Sequence, residues 1–190
     1  SGSRMQVLPA RHSLSIVGSD KNLLIKQDTV SYIACQSPVI SGRWYVPATV
    51  TSHDGGGRVQ STKEILIRDD YGNPIEIVTN HSEHVIYLWG YYGQRLVAQI
   101  KGATYVEVEN ALGTSPVSLS QLFSPVSTIS GLQARLPGAQ VYTYTYHPYA
   151  GVDRETAPNG QTTCYDYDAK GRLVKSYRTG ENGKQEDRKS

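Results

Sequence analysis

Cysteine is scarce in this chain, and so are the residue patterns that mark most catalytic and membrane-spanning proteins. Only Cys35 and Cys164 occur in 190 residues, with one Met, one Phe and two Trp. Two cysteines at unrelated positions make no disulfide framework, and plain buried thiols are the better expectation. No apolar run approaches the roughly 20 residues that cross a bilayer as a helix, so no membrane insertion of this segment is expected. Charge of one sign is lacking too: 19 basic against 17 acidic residues leave +2, which gives no field for nucleic acid or an anionic membrane.

Signatures of chemistry are equally thin. The serines include no Gly-x-Ser-x-Gly elbow. Ser52-His-Asp-Gly-Gly-Gly57 lacks the Gly-Lys-Ser/Thr ending and a following helix that a phosphate cradle needs, and reads as a hairpin loop. His81-Ser-Glu-His84 is the only clustered pair of metal-ligand type. It joins two predicted strands, where residues three apart point to opposite sides, so a polar connector is expected and no metal. Glu107 and Glu109 stand two apart, off a common helical face, and suit a helix start better than a glycosidase pair. No catalytic residue, cofactor or metal ligand is assigned.

What the chain has instead is tyrosine, fourteen of them, with eighteen Gly and nine Pro. Tyr suits half-buried strand faces, where the ring packs and the hydroxyl reaches water, and frequent Gly and Pro supply turns. Together they predict a mainly β protein. Thr162-Thr-Cys-Tyr-Asp-Tyr-Asp168-Ala-Lys-Gly171-Arg-Leu-Val-Lys-Ser-Tyr177 reads as one hairpin: alternation on either side of an Asp-x-x-Gly turn, with Gly171 left-handed and leading into a bulge. The phrase recurs at 64–78, where Asp69 and Gly72 hold the turn positions. It recurs at 85–100, where Gly93 is kept and Gly90 replaces Asp, and more loosely at Tyr142–Gly151, with Pro148 in the Asp slot. A period near 20 separates Gly72 from Gly93 and Gly151 from Gly171. Asp54–Gly57 carries the Asp-x-x-Gly spacing without the surrounding alternation and reads as a chance match.

Tyr165-Asp-Tyr-Asp-x-x-Gly-Arg-Leu173 resembles the YD repeat of the RHS/YD-repeat family of large bacterial secreted and cell-surface proteins. Tyr144–Gly151 followed by Pro158–Tyr167 is similar to the closing repeats of such proteins. The likeness covers about residues 60–100 and 140–180. It implies successive antiparallel hairpins of a twisted, spiralling sheet, a bacterial extracellular or cell-surface setting, and an architectural role. The family's core segment, with its self-cleaving aspartates and a toxin beyond, has no counterpart in these residues.

Around these hairpins the reading is as follows. Residues 1–5 look like an expression scar, and 6–101 form a β-rich region with short strands at 13–17, 23–26, 29–34 and 43–46. Residues 102–137 switch to helical periodicity and form a helical insert. Thr104 caps a helix bearing Tyr105, Val108, Ala111 and Leu112 that Gly113 ends, and Ile129, Leu132 and Leu136 share a second helical face. Residues 138–178 carry the closing repeats, and 179–190 a polar tail. The expected function is a non-catalytic structural or display segment. A carbohydrate-binding module using Trp44, Tyr45, Trp89, Tyr91 and Tyr92 is the alternative, with cross-strand packing the simpler account of those rings. A glycan or a protein at the cell surface is the partner to expect, and open strand edges at Leu173–Arg178 or Tyr142–Tyr146 invite weak self-association.

Overall fold

The computed structural model describes residues 10–17, 22–36, 39, 41–42, 44–179 and 185–187. The expected scar at 1–5 and the turn residues 18–21 lie outside them. The protein is mainly β: antiparallel hairpins in chain order, with a small helical insert. It divides into two compact units, Ser1–His84 and Val85–Ser190.

In the first unit β1 (Ala10–Val17), β2 (Asn22–Cys35), β3 (Trp44–Asp54), β4 (Val59–Arg68) and β5 (Pro74–Thr79) each pair antiparallel with the next. The two short strands expected at 23–26 and 29–34 are one, β2. Gln27 and Asp28 do not interrupt it, because each is paired on both sides, Gln27 with Ser13 and His53, Asp28 with His12 and Ser52. Then β6 (Glu83–Gly90) follows a tight turn in which Asn80 and His81 take φ of 51° and 59°. Asn80 holds that turn by donating its amide to the Thr62 carbonyl and accepting the Thr62 amide on its side chain.

The second unit continues from β6 through β7 (Arg95–Lys101), β8 (Gln140–Tyr146), β9 (Val152–Thr156), β10 (Thr162–Tyr167), β11 (Leu173–Thr179) and β12 (Gln185–Asp187). Between β7 and β8 lies the insert, α1 (Tyr105–Leu112), α2 (Pro116–Leu119), α3 (Val126–Ile129) and α4 (Leu132–Arg135). Thr104 and Glu107 form a reciprocal capping box at α1, and Gly113 ends it at φ 72°. The second helical face is broken in two. Gly131 turns left-handed at φ 66° and separates α3 from α4, yet Ile129, Leu132 and Leu136 are all buried. They join Val108, Leu112 and Leu119 of the insert and Ile86, Leu88, Ala98, Ile100 and Val141 of the strands in the buried set, each Val, Leu or Ile side chain contributing about 1.5–3 kcal/mol. Gln133 ties α4 to the sheet, its amide nitrogen donating to the Leu136 and Ala139 carbonyls and its oxygen accepting the Val141 amide.

Two edge expectations need correction. Tyr142–Tyr146 is interior, because β8 pairs with both β7 and β9. The tail at 179–190 contributes a strand, β12, which covers the Tyr177–Thr179 end of β11. Leu173 and Val174 at the other end of β11 stay exposed, at 54% and 62%.

Bulges recur on the return strands. The register slips there to leave Ile25, Ala48, Gln60, Ile75, Val97, Asp153 and Val174 as extra residues, and β4 carries one more at Leu66. Each bulge bends its strand and turns backbone groups next to it out of the regular ladder.

Candidate functional site

The hairpin tips hold the sequence's most specific chemistry. Asp168 Oδ1 accepts the amides of Lys170 and Arg172, each at 2.9 Å, while its Oδ2 takes the Arg172 guanidinium at 2.8 Å. The Gly171 amide closes the turn onto the Asp168 carbonyl at 2.9 Å, with Gly171 at φ 75°. Asp69 repeats this atom for atom: Oδ1 accepts the Tyr71 and Asn73 amides at 3.0 and 2.8 Å, Oδ2 the Asn73 side-chain amide at 3.0 Å, and Gly72 stands at φ 85°. Such a carboxylate turns a flexible loop into a fixed one by satisfying amides that the strand ladder leaves open. The same donors hold the Asp168 carboxyl below the usual carboxylate range, the Arg172 amide first and its guanidinium next.

Asp54–Gly57, set aside as a chance match, is a full member of this set. Asp54 Oδ1 accepts the Gly56 and Arg58 amides at 2.9 Å each, Oδ2 takes Gln60 at 3.0 Å, and Gly57 has φ 80°. The signal was the polar donor beyond the glycine, which at 54–60 sits two residues later than Asn73 or Arg172 does. The slot at 142–151 is also displaced by one. His147, and not Pro148, takes the Asp position: its amide donates to the Gly151 carbonyl at 3.1 Å and its Nδ1 accepts the Tyr149 amide at 3.3 Å.

The tip at 91–94 is built differently. Tyr91, Tyr92 and Gly93 are all left-handed, at φ 55°, 58° and 73°. The insert holds it: the Tyr91 amide donates to the Leu122 carbonyl at 2.8 Å and the Gly93 amide to the Ser120 carbonyl at 2.8 Å. Pro125 presses against Gly90, where a Cβ would meet its ring at 2.5 Å.

Successive tips of the second unit are joined by side chains. Tyr146, just before the His147 slot, donates its hydroxyl to the Leu96 carbonyl at 2.6 Å; Tyr167, just before Asp168, donates to the Val152 carbonyl at 2.9 Å. In the first unit Arg68, just before Asp69, donates to the Pro47 carbonyl and to the Gly72 carbonyl. Each of the acceptors Pro47, Leu96 and Val152 immediately precedes a bulge residue, Ala48, Val97 or Asp153. Burial lowers the Arg68 pKa, and Cys35 and Asp69 oppose that shift; burial raises the Tyr146 pKa, with Arg95 opposing it.

Of the ring candidates, Trp44 is half-buried in the first unit with its indole against the Gly72 turn, 3.1 Å from where a Cβ would stand, and Tyr45 beside it is 42% exposed. Trp89 is half-buried on β6. Tyr91 and Tyr92 do come together with partners that the sequence did not single out. Phe123, 70% exposed, meets both rings at about 6 Å, Tyr146 meets Tyr91 at 5.9 Å, and the Arg95 guanidinium lies 4.7 Å from the Tyr146 ring centre. Tyr149, 92% exposed, lies beside the His147 ring. On β8 and β10, Tyr144 is pushed up to about 12 by burial with Glu155 adding to it, and Tyr165 is raised for the same two reasons while donating to Glu155 at 3.3 Å.

His81 and His84 each meet their own carboxylate, Glu64 at 3.2 Å and Glu76 at 2.8 Å. Among the described residues no three of His, Cys, Asp and Glu gather in a metal-holding group, and Cys35 and Cys164 are free thiols. Arg135, beside a cavity between α1 and α4, spends its guanidinium on the Ala111, Thr128 and Ser130 carbonyls. Set against known proteins, the chain matches no family profile and no curated sequence.

Proposed function

We propose that this chain is a non-catalytic architectural segment of the YD-repeat kind, from a bacterial secreted or cell-surface protein, whose hairpins build a wall and display their tips. The observation that carries the reading is the carboxylate-held turn, repeated with the same donors at Asp54, Asp69 and Asp168. It fixes loop shape and commits Asp168 to Arg172 and Asp69 to Asn73. Tyr167 before Asp168, and Tyr146 before His147, then have a mechanical purpose, each joining its hairpin to the one before it.

Glycan binding is the second reading, favoured by exposed Tyr92 and Phe123, whose rings meet, and by exposed Tyr149. Stacked aromatic faces suit sugar rings, with each ring also presenting a polar rim. A glycan array probed with the purified protein decides between the two. The architectural reading expects no glycan retained above background. Retention of a defined glycan class that Tyr92→Ala or Phe123→Ala abolishes, with folding intact by circular dichroism, would replace it with the binding reading.

A further inference from the structure

Several arginines of the chain have their guanidinium nitrogens engaged. Arg68 donates to the Pro47 and Gly72 carbonyls, Arg135 donates to three carbonyls, and Arg154 and Arg172 face Asp153 and Asp168. Arg95 is different. Its guanidinium lies 5.6 Å from the Tyr91 ring centre and 4.7 Å from that of Tyr146. Its single hydrogen bond among the described residues goes to the His147 carbonyl, at a long 3.5 Å. No carboxylate of the described residues pairs with it. Contact through the face of a guanidinium leaves its in-plane N–H donors free, and these match a carboxylate in two parallel bonds. The two rings hold a fork in place and leave its prongs open.

The side chains around that fork are apolar. Phe123 meets Tyr91 at 6.1 Å and Tyr92 at 6.2 Å, and Tyr92, Phe123 and its neighbour Leu122 are all exposed. The crest is shaped ahead of any partner. The Leu122 and Ser120 carbonyls hold the left-handed tip at Tyr91–Gly93, and the Tyr146 hydroxyl is anchored on the Leu96 carbonyl. Leu122 and Phe123 carry no polar side-chain atom with which to bond sugar hydroxyls. Arg, Tyr and Phe grouped at one exposed tip match the composition that carries protein interfaces.

We propose that Arg95, Tyr91, Tyr92, Leu122 and Phe123 form a docking site for a protein segment that carries an Asp or Glu beside an apolar or aromatic side chain. The partner's carboxylate takes two N–H donors of Arg95, and the adjoining side chain covers Phe123 and Tyr92. Charge complementarity sets the sign of the partner, because the one charge that this group of side chains carries is the unpaired guanidinium. The inference rests on the architectural reading, in which the hairpins display their tips. The glycan array tests that reading, and a peptide selection tests this one.

Random peptides displayed on phage are selected on the purified full chain. The recovered sequences should carry Asp or Glu next to an apolar or aromatic residue. A synthetic copy of the strongest peptide should bind Arg95→Gln roughly tenfold more weakly than the parent, the share of a charge-assisted pair. Replacing the acid of that peptide by Gln should lose the same factor, and the two losses should not add. Arg95→Lys keeps the charge without the fork and should restore only part of the binding. Phe123→Ser, at an exposed ring, should also weaken the peptide, and it keeps the test decisive should Arg95→Gln fail to fold by circular dichroism. Recovery of no peptide, recovery of peptides without an acid, or acidic peptides whose affinity either folded variant leaves unchanged would each overturn the proposal. Sedimentation of the parent as a dimer that Phe123→Ser dissolves would overturn it too, naming a second copy as the occupant.

Discussion

Two tips of the second unit solve one problem in opposite ways. At Asp168–Arg172 every bond that shapes the turn comes from within five residues: one carboxylate, two amides, one guanidinium and one left-handed glycine. At Tyr91–Gln94 two tyrosines and a glycine are left-handed in succession, which costs about 1–2 kcal/mol for each non-glycine residue. That conformation is held by carbonyls of Ser120 and Leu122, far along the chain. The first tip is local and tolerant of its surroundings; the second exists only as long as the insert is docked. A turn fixed by its own residues belongs to the sequence, whereas a turn fixed from outside belongs to the fold.

The comparison breaks most sharply at Gly90. Its backbone is not left-handed, so Gly90→Ala tests contact alone, and a methyl there would collide with the Pro125 ring. A loss of about 2–3 kcal/mol is expected in urea unfolding, with faster amide exchange at Tyr91 and Gly93 as the insert lifts. An unchanged midpoint would mean that the insert does not brace this tip. Asp69→Ala comes next, at about 2 kcal/mol, because Asp69 is 6% exposed and its loss strands the Tyr71 and Asn73 amides. Gly171→Ala should cost about 1 kcal/mol through φ alone, since only the Tyr149 carbonyl, at 3.5 Å, approaches the new methyl.

The smallest effect is that of pH on the local tip. With its carboxyl held below the ordinary range, Asp168 stabilises the fold above pH ~4, where the unfolded carboxylate is ionised. That contribution is lost as pH falls through the folded value. Asp168→Asn should therefore differ from the parent at neutral pH and converge with it in acid; a difference that stays constant between pH 7 and 2 would refute the linkage.

The same contrast explains what could be read beforehand. Asp69, Asp168 and their glycines were legible because donor, acceptor and left-handed residue lie within one short phrase. Thr104, Glu107 and Gly113 were legible for the same reason, as the two ends of one helix. Asp54 was not legible although its turn is as local, because no apolar alternation follows it: β4 opens with exposed Val59 and Gln60. The grouping of Phe123 with Tyr91, Tyr92 and Tyr146 had no signal in spacing, since it depends on where the insert lies upon the strands. The split of α3 from α4 turned on one conformation, Gly131 at φ 66°, inside an otherwise helical apolar pattern.

At the foot of the insert, Lys101 and Gln140 stand directly opposite one another in the β7–β8 ladder. To the strands, then, everything from Gly102 to Ala139 is a single connection, closed by the same kind of pair that closes a three-residue turn. Closure entropy grows only as the logarithm of length, about 0.6 kcal/mol for each doubling. The β7–β8 pair can therefore be closed by a long folded connection as well as by a short one. Excising 102–139 for a short turn would still close that ladder position, but it would strip the Tyr91–Gln94 tip of the Ser120 and Leu122 carbonyls that hold it.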